Sequence, residues 1–154
     1  MSLRAASPDQ TAAIAAALAA GARPGDCLAL DGPLGAGKTL FVAAYCAALG
    51  VPAGEVDSPS FVLLNEYAGG RLPLFHFDAY RLTGGAEELL EAGFFDERLG
   101  NGVCMVEWAE RLAAFLPAGA LRIALAITGE RERRLALSGW PAVRLAALAP
   151  WRAA

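Results

Sequence analysis

The chain has 154 residues, 56 % hydrophobic content and a formal net charge of −3. That length supports one domain, 1–154, with a core large enough to need neither disulfide nor structural metal. The acidic balance argues against a nucleic-acid binder that relies on a basic surface, and a 19 % charged content argues against disorder.

In chain order, Ser7, Pro8 and Gln10 form a capping pattern that starts a helix, and Gly21, Pro24 and Gly25 end it. Cys27–Leu30 is a continuous apolar run, as expected of a strand buried on both faces. A second helix runs from Lys38 to Leu49, with Phe41, Tyr45 and Leu49 at four-residue spacing and Gly50 and Pro52 as its stop. Phe61–Tyr67 and Leu72–Tyr80 flank Ala68–Arg71 and read as an antiparallel hairpin. In its second strand Leu74, His76, Asp78 and Tyr80 share one face, and Phe75 and Phe77 the other. Glu87–Gly93 reads as a short helix. Val103–Val106 is another buried strand, followed by an amphipathic helix ending near Pro117. Leu121, Ile123, Leu125 and Ile127 alternate, and Arg133–Leu137 returns after a polar turn. The expected fold is therefore α/β, a P-loop NTPase-type three-layer αβα arrangement whose mixed sheet has a parallel core and antiparallel hairpins. Cys27, Cys46 and Cys104 form no CxxC pair and read as buried thiols. No run of about 18 strongly apolar residues appears, so no membrane role and a cytoplasmic location are expected.

The strongest chemical signal is Gly32-Pro33-Leu34-Gly35-Ala36-Gly37-Lys38-Thr39, which fits G-x-x-x-x-G-K-[ST] between a strand and a helix. Glycines let backbone N–H groups converge on phosphate oxygens, and the helix N-terminus adds its dipole. Lys38, the one lysine among 13 basic residues, offers a compact charge on a long stem where a planar guanidinium fits poorly. The expected ATP-binding set is Leu34, Gly35, Ala36, Gly37, Lys38 and Thr39, with Arg131 of the last hairpin added as a nucleotide contact. The Thr39 hydroxyl is expected to reach Mg²⁺.

Such a loop also needs an acidic residue at the end of a neighbouring strand. Glu107 closes Val103–Val106 and Asp78 closes Leu74–Phe77; either could instead cap a helix or pair at the surface. The metal is assigned to Glu107, on the cleaner buried strand, and Asp78 to orienting water or metal-bound solvent. Lys38, Asp78 and Glu107 are thus the expected catalytic set. His76, the single histidine, is either an acid–base group or an imidazole that orients the hairpin. Arg131, Arg133 and Arg134 alternate with Glu130 and Glu132. They form a solvated turn unless Arg131 reaches the nucleotide. No Asn-Lys-x-Asp sequence is present, so adenine is the default base.

Four blocks in order resemble the TsaE (YjeE) family: Gly35–Thr39, Ser58–Tyr67, His76–Leu82 and Glu107-Trp108. The resemblance implies a Mg²⁺-dependent ATPase of tRNA threonylcarbamoyladenosine (t6A) biosynthesis. Its partners would be TsaD and TsaB, tRNA being reached only through that complex. It also implies that Ser58, Pro59, Ser60 and Phe61 form a switch-like segment, that Asp78 is needed for hydrolysis, and that Trp108 packs near the site. Ser60 departs from the usual threonine and Ala109 from the common proline. A P-loop small-molecule kinase is the alternative, and a nucleotide-dependent binding module without useful hydrolysis a third reading.

Overall fold

The computed structural model describes residues 1–52, 64–83, 85–94 and 96–154. Strand β1 (Ser2–Ala5) leads into helix α1 (Pro8–Ala20), whose start follows the predicted capping. The Ser7 hydroxyl accepts from the Gln10 N–H, and Pro8 occupies the first turn, where its missing N–H costs nothing. The Gln10 side chain reaches one residue beyond the cap and accepts from the Ala6 N–H at 2.9 Å. The last turn of α1 carries no basic residue. Arg71, from the tip of the distant hairpin, donates to the Ala19 and Ala22 carbonyls there.

Strand β2 (Cys27–Asp31) and helix α2 (Lys38–Ala48) follow. The hairpin is β3 (Leu64–Tyr67) and β4 (Leu74–Asp78), and α3 (Ala86–Glu91) leads to β5 (Val103–Glu107). Strands β6 (Leu121–Ile127) and β7 (Arg133–Ser138) complete one seven-stranded sheet of order β1-β7-β6-β2-β5-β4-β3. Strands β6, β2, β5 and β4 run parallel; β3 pairs antiparallel with β4, β7 with β6, and β1 with β7. The expected mixed sheet with a parallel core is therefore present.

Alternation along the strands gives two cores. Leu28, Leu30, Val103, Met105, Leu121 and Ile123 pack under α1 and α2, which lie against each other. On the opposite face Cys27, Ala29, Phe75, Phe77 and Val106 meet Leu89 of α3, Phe94, Ala109 and Leu112. Phe77 and Phe94 meet edge to face, 5.2 Å between centroids. This second layer is thin because its helix is short. All three cysteines are buried and free. Burial pushes the Cys46 thiol up to about 12.

Three segments depart from the sequence reading. The helix expected after β5 is only a 3₁₀ turn, Ala109–Leu112. Trp108 adopts a left-handed conformation (φ 58°), and the Asp31 carboxylate accepts the Glu110 N–H at 2.8 Å. The chain is thereby turned sharply across the end of β2. Strand β1 and a 3₁₀ run at Ala142–Trp151 were not foreseen. Both depend on distant partners, such as Leu3 opposite Leu135 and Leu3 bridged to Arg152.

Register fixes where the site lies. Glu107 stands opposite both Leu30 and Asp78, so β2, β5 and β4 end together at one carboxyl edge. That is the edge at which open α/β sheets bind ligands. Among the described residues no helix is long and apolar enough to cross a membrane.

Candidate nucleotide site

The loop between β2 and α2 is shaped by its glycines. A Cβ on Gly32 would lie 2.5 Å from the Leu125 carbonyl oxygen, so any side chain there would displace β6. Gly37, with φ 102°, is the left-handed residue directly before Lys38 opens α2. Leu34 projects from the loop tip with 85 % exposure, whereas Ala36 is buried beneath it.

Lys38 is almost wholly buried. Its Nζ donates to the Gly32 and Pro33 carbonyls at 2.6 and 3.0 Å and lies 4.0 Å from the centroid of the Trp108 ring. Trp108 has a left-handed backbone, and Tyr80 packs against its ring at 4.9 Å between centroids. Burial lowers the Lys38 pKa, opposed by the charges of Glu107, Glu110, Asp78 and Asp31. Glu110 is pushed up chiefly by its hydrogen bond to Asp31, and secondarily by burial.

Thr39, next on α2, donates its hydroxyl to Glu107 Oε1 at 3.0 Å. Glu107 is buried, and its second oxygen, Oε2, lies 2.7 Å from Nε2 of the fully buried His76. Asp78 ends the neighbouring strand beside Glu107, half-buried, with Oδ1 accepting the Tyr80 N–H at 2.8 Å. The structure thus brings Lys38, Thr39, Glu107 and Asp78 to one sheet edge. It also gives Trp108 and His76 contacts there that spacing alone did not reveal.

Arg131 is exposed on the β6–β7 turn, and Arg133 is the one that meets the loop. Its Nη2 and Nε donate to the Gly35 and Ala36 carbonyls at 3.0 and 3.2 Å, while Nη1 reaches the Gly129 and Glu132 carbonyls at 3.0 and 2.8 Å. By bonding those carbonyls, Arg133 ties the loop to the β6–β7 turn. R133A is expected to weaken ADP binding about tenfold, with R133K intermediate, in calorimetric titrations. Ser58, Pro59, Ser60 and Phe61 lie outside the described residues.

The donor set fits Mg²⁺. A hydroxyl and a carboxylate, both hard oxygen ligands, meet at the start of α2 amid further carboxylates. Among the described residues no group of three or more His, Cys, Asp or Glu forms a self-sufficient metal cage. Magnesium bound with a nucleotide does not require one, since phosphates and water supply its other ligands.

The family model described as "Threonylcarbamoyl adenosine biosynthesis protein TsaE" matches residues 5–135. The chain belongs to the TsaE family. The tRNA threonylcarbamoyladenosine biosynthesis protein TsaE of Bacillus subtilis is 42 % identical over 132 residues, covering 86 % of this chain and 81 % of that protein. Its counterpart in Treponema pallidum is 39 % identical over 114 residues, covering 74 % and 82 %. The crystal structure of YdiB from Bacillus subtilis superposes with a TM-score of 0.73 at 35 % identity, covering 97 % of this chain and 92 % of that one. Membership in the TsaE family makes this a tRNA threonylcarbamoyladenosine biosynthesis protein, as the resemblance had implied.

Proposed function

We propose that this TsaE-family chain binds and hydrolyses MgATP at the Gly32–Thr39 loop, and that it does so in support of the TsaD–TsaB transferase. The observation that carries the reading is the convergence of Lys38, Thr39 and Glu107 at the mouth of that loop. Backbone N–H groups from Gly35 to Thr39, with the N-terminus of α2, bind phosphate oxygens. Lys38 adds a compact positive charge against the β- and γ-phosphates. Thr39 and Glu107 would hold Mg²⁺, which neutralises charge on those phosphates when bound. Both Glu107 oxygens are engaged with Thr39 and His76. That leaves the half-buried Asp78 as the carboxylate suited to orienting the attacking water.

Arg133 spends its donors on carbonyls of the loop and turn, so little is left to stabilise charge developing in the transition state. Hydrolysis by the chain alone should be slow. Leu34, Leu40 and Tyr80 expose apolar surface on the elements that frame the site, which suits a protein partner covering it. A partner would bind tRNA on this reading, consistent with a chain of net charge −3.

Phosphate release from ATP tests this directly. We expect slow release with no acceptor present, rising at least about tenfold when the TsaD–TsaB pair is added. Equal rates with and without the pair would contradict partner stimulation. Phosphate transfer only to an added small-molecule acceptor would favour a kinase.

A further inference from the structure

We infer that His76 is a positioning residue: it donates from Nε2–H to Glu107 Oε2 and so fixes which carboxylate oxygen meets Thr39. The inference rests on the nucleotide and magnesium reading above and deepens it.

His76 and Glu107 are both buried, at 0 and 2 % exposure, and lie 2.7 Å apart. Thr39 holds the other carboxylate oxygen at 3.0 Å. The carboxylate is therefore gripped at both ends and cannot rotate without breaking a buried hydrogen bond. The His76 ring also reveals where its proton sits. Its Nδ1 is buried with no hydrogen-bond partner among the described residues. A proton on Nδ1 alone would leave a buried N–H without an acceptor and set the Nε2 lone pair against a carboxylate oxygen. A carboxylate oxygen can only accept, so the short contact needs the donor on Nε2. A proton on Nε2 alone satisfies the short contact and leaves only a lone pair unmatched.

The sheet builds this arrangement. His76 lies two residues before Asp78 on β4, on the same face, and Asp78 is in register with Glu107 on β5. One strand thus brings two groups to the carboxyl edge: Asp78 at its end, and His76 one step behind, beneath Glu107. Oriented metal-binding carboxylates commonly depend on such supporting hydrogen bonds.

Glutamine and asparagine at position 76 separate this role from mere space filling. Both are polar, but only glutamine can place an N–H near the position of Nε2. The measurement is ADP affinity by calorimetry, with Mg²⁺ and with chelator, and the ratio of the two constants reads the metal's contribution. Wild type should bind ADP more tightly with Mg²⁺; failure of wild type to bind ADP would overturn the nucleotide reading itself, and this inference with it. H76Q should keep the wild-type ratio within about twofold, while H76N lowers it about tenfold or more. Affinity measured with chelator should be nearly unchanged in both. An H76N ratio equal to wild type, or an H76Q ratio as low as that of H76N, would overturn the inference. Should H76N fail to fold, H76Q decides alone: a kept ratio supports the role and a lost one refutes it.

Discussion

Replacing Lys38 with arginine is expected to lower ATP turnover by about 10²–10³ without unfolding the protein. The ammonium lies between the Gly32 and Pro33 carbonyls and the face of Trp108, at 2.6, 3.0 and 4.0 Å. A guanidinium carries the same charge on a broader, planar head and cannot enter that enclosure with all its donors satisfied. Its charge would be held at the rim, away from the phosphates. All the other members of the 13 Lys and Arg residues are arginine. Steady-state phosphate release and a thermal melt of K38R check the prediction together. Turnover close to wild type would refute the size argument.

The second large effect belongs to Glu107, where two substitutions should separate chemistry from stability. In E107Q the amide oxygen can still accept from His76, and the amide nitrogen can donate to the Thr39 oxygen. Stability should therefore stay near wild type, while loss of the charge lowers Mg²⁺-dependent turnover by about 10²–10³. In E107A, His76 and Thr39 both lose their partner inside the protein. Each stranded group costs about 1–3 kcal/mol, so E107A should lose stability as well as activity. Denaturant unfolding monitored beside turnover makes the comparison. Wild-type activity in E107Q would remove Glu107 from the metal site.

How much of this was legible in the sequence depends on how local each feature is. The phosphate loop is a run of consecutive residues whose geometry follows from glycine and a helix start, so it could be read directly. The interior strands could also be read, because β2 and β5 are continuous apolar runs, as burial on both faces requires. Alternation puts His76 on the same strand face as Asp78, yet its partner is not visible in the sequence. That contact spans 31 positions and exists only through the parallel register of β4 with β5. Arg131 and Arg133 differ by two residues, and only the fold of the β6–β7 turn decides which one reaches the loop. The segment after Glu107 has helical spacing in its apolar residues, but the turned backbone of Trp108 and the Asp31 cap override it. Strand β1 has only four residues and owes its existence to β7.

Multiple-turnover formation of t6A decides whether this chain's ATP turnover supports the transferase. TsaD–TsaB-type proteins, substrate tRNA and ATP are combined with the wild-type chain, with E107Q, or with neither. Repeated rounds of modification are expected with the wild-type chain, and no more than a single round with E107Q or without the chain. Repeated rounds with E107Q equal to wild type would contradict that expectation.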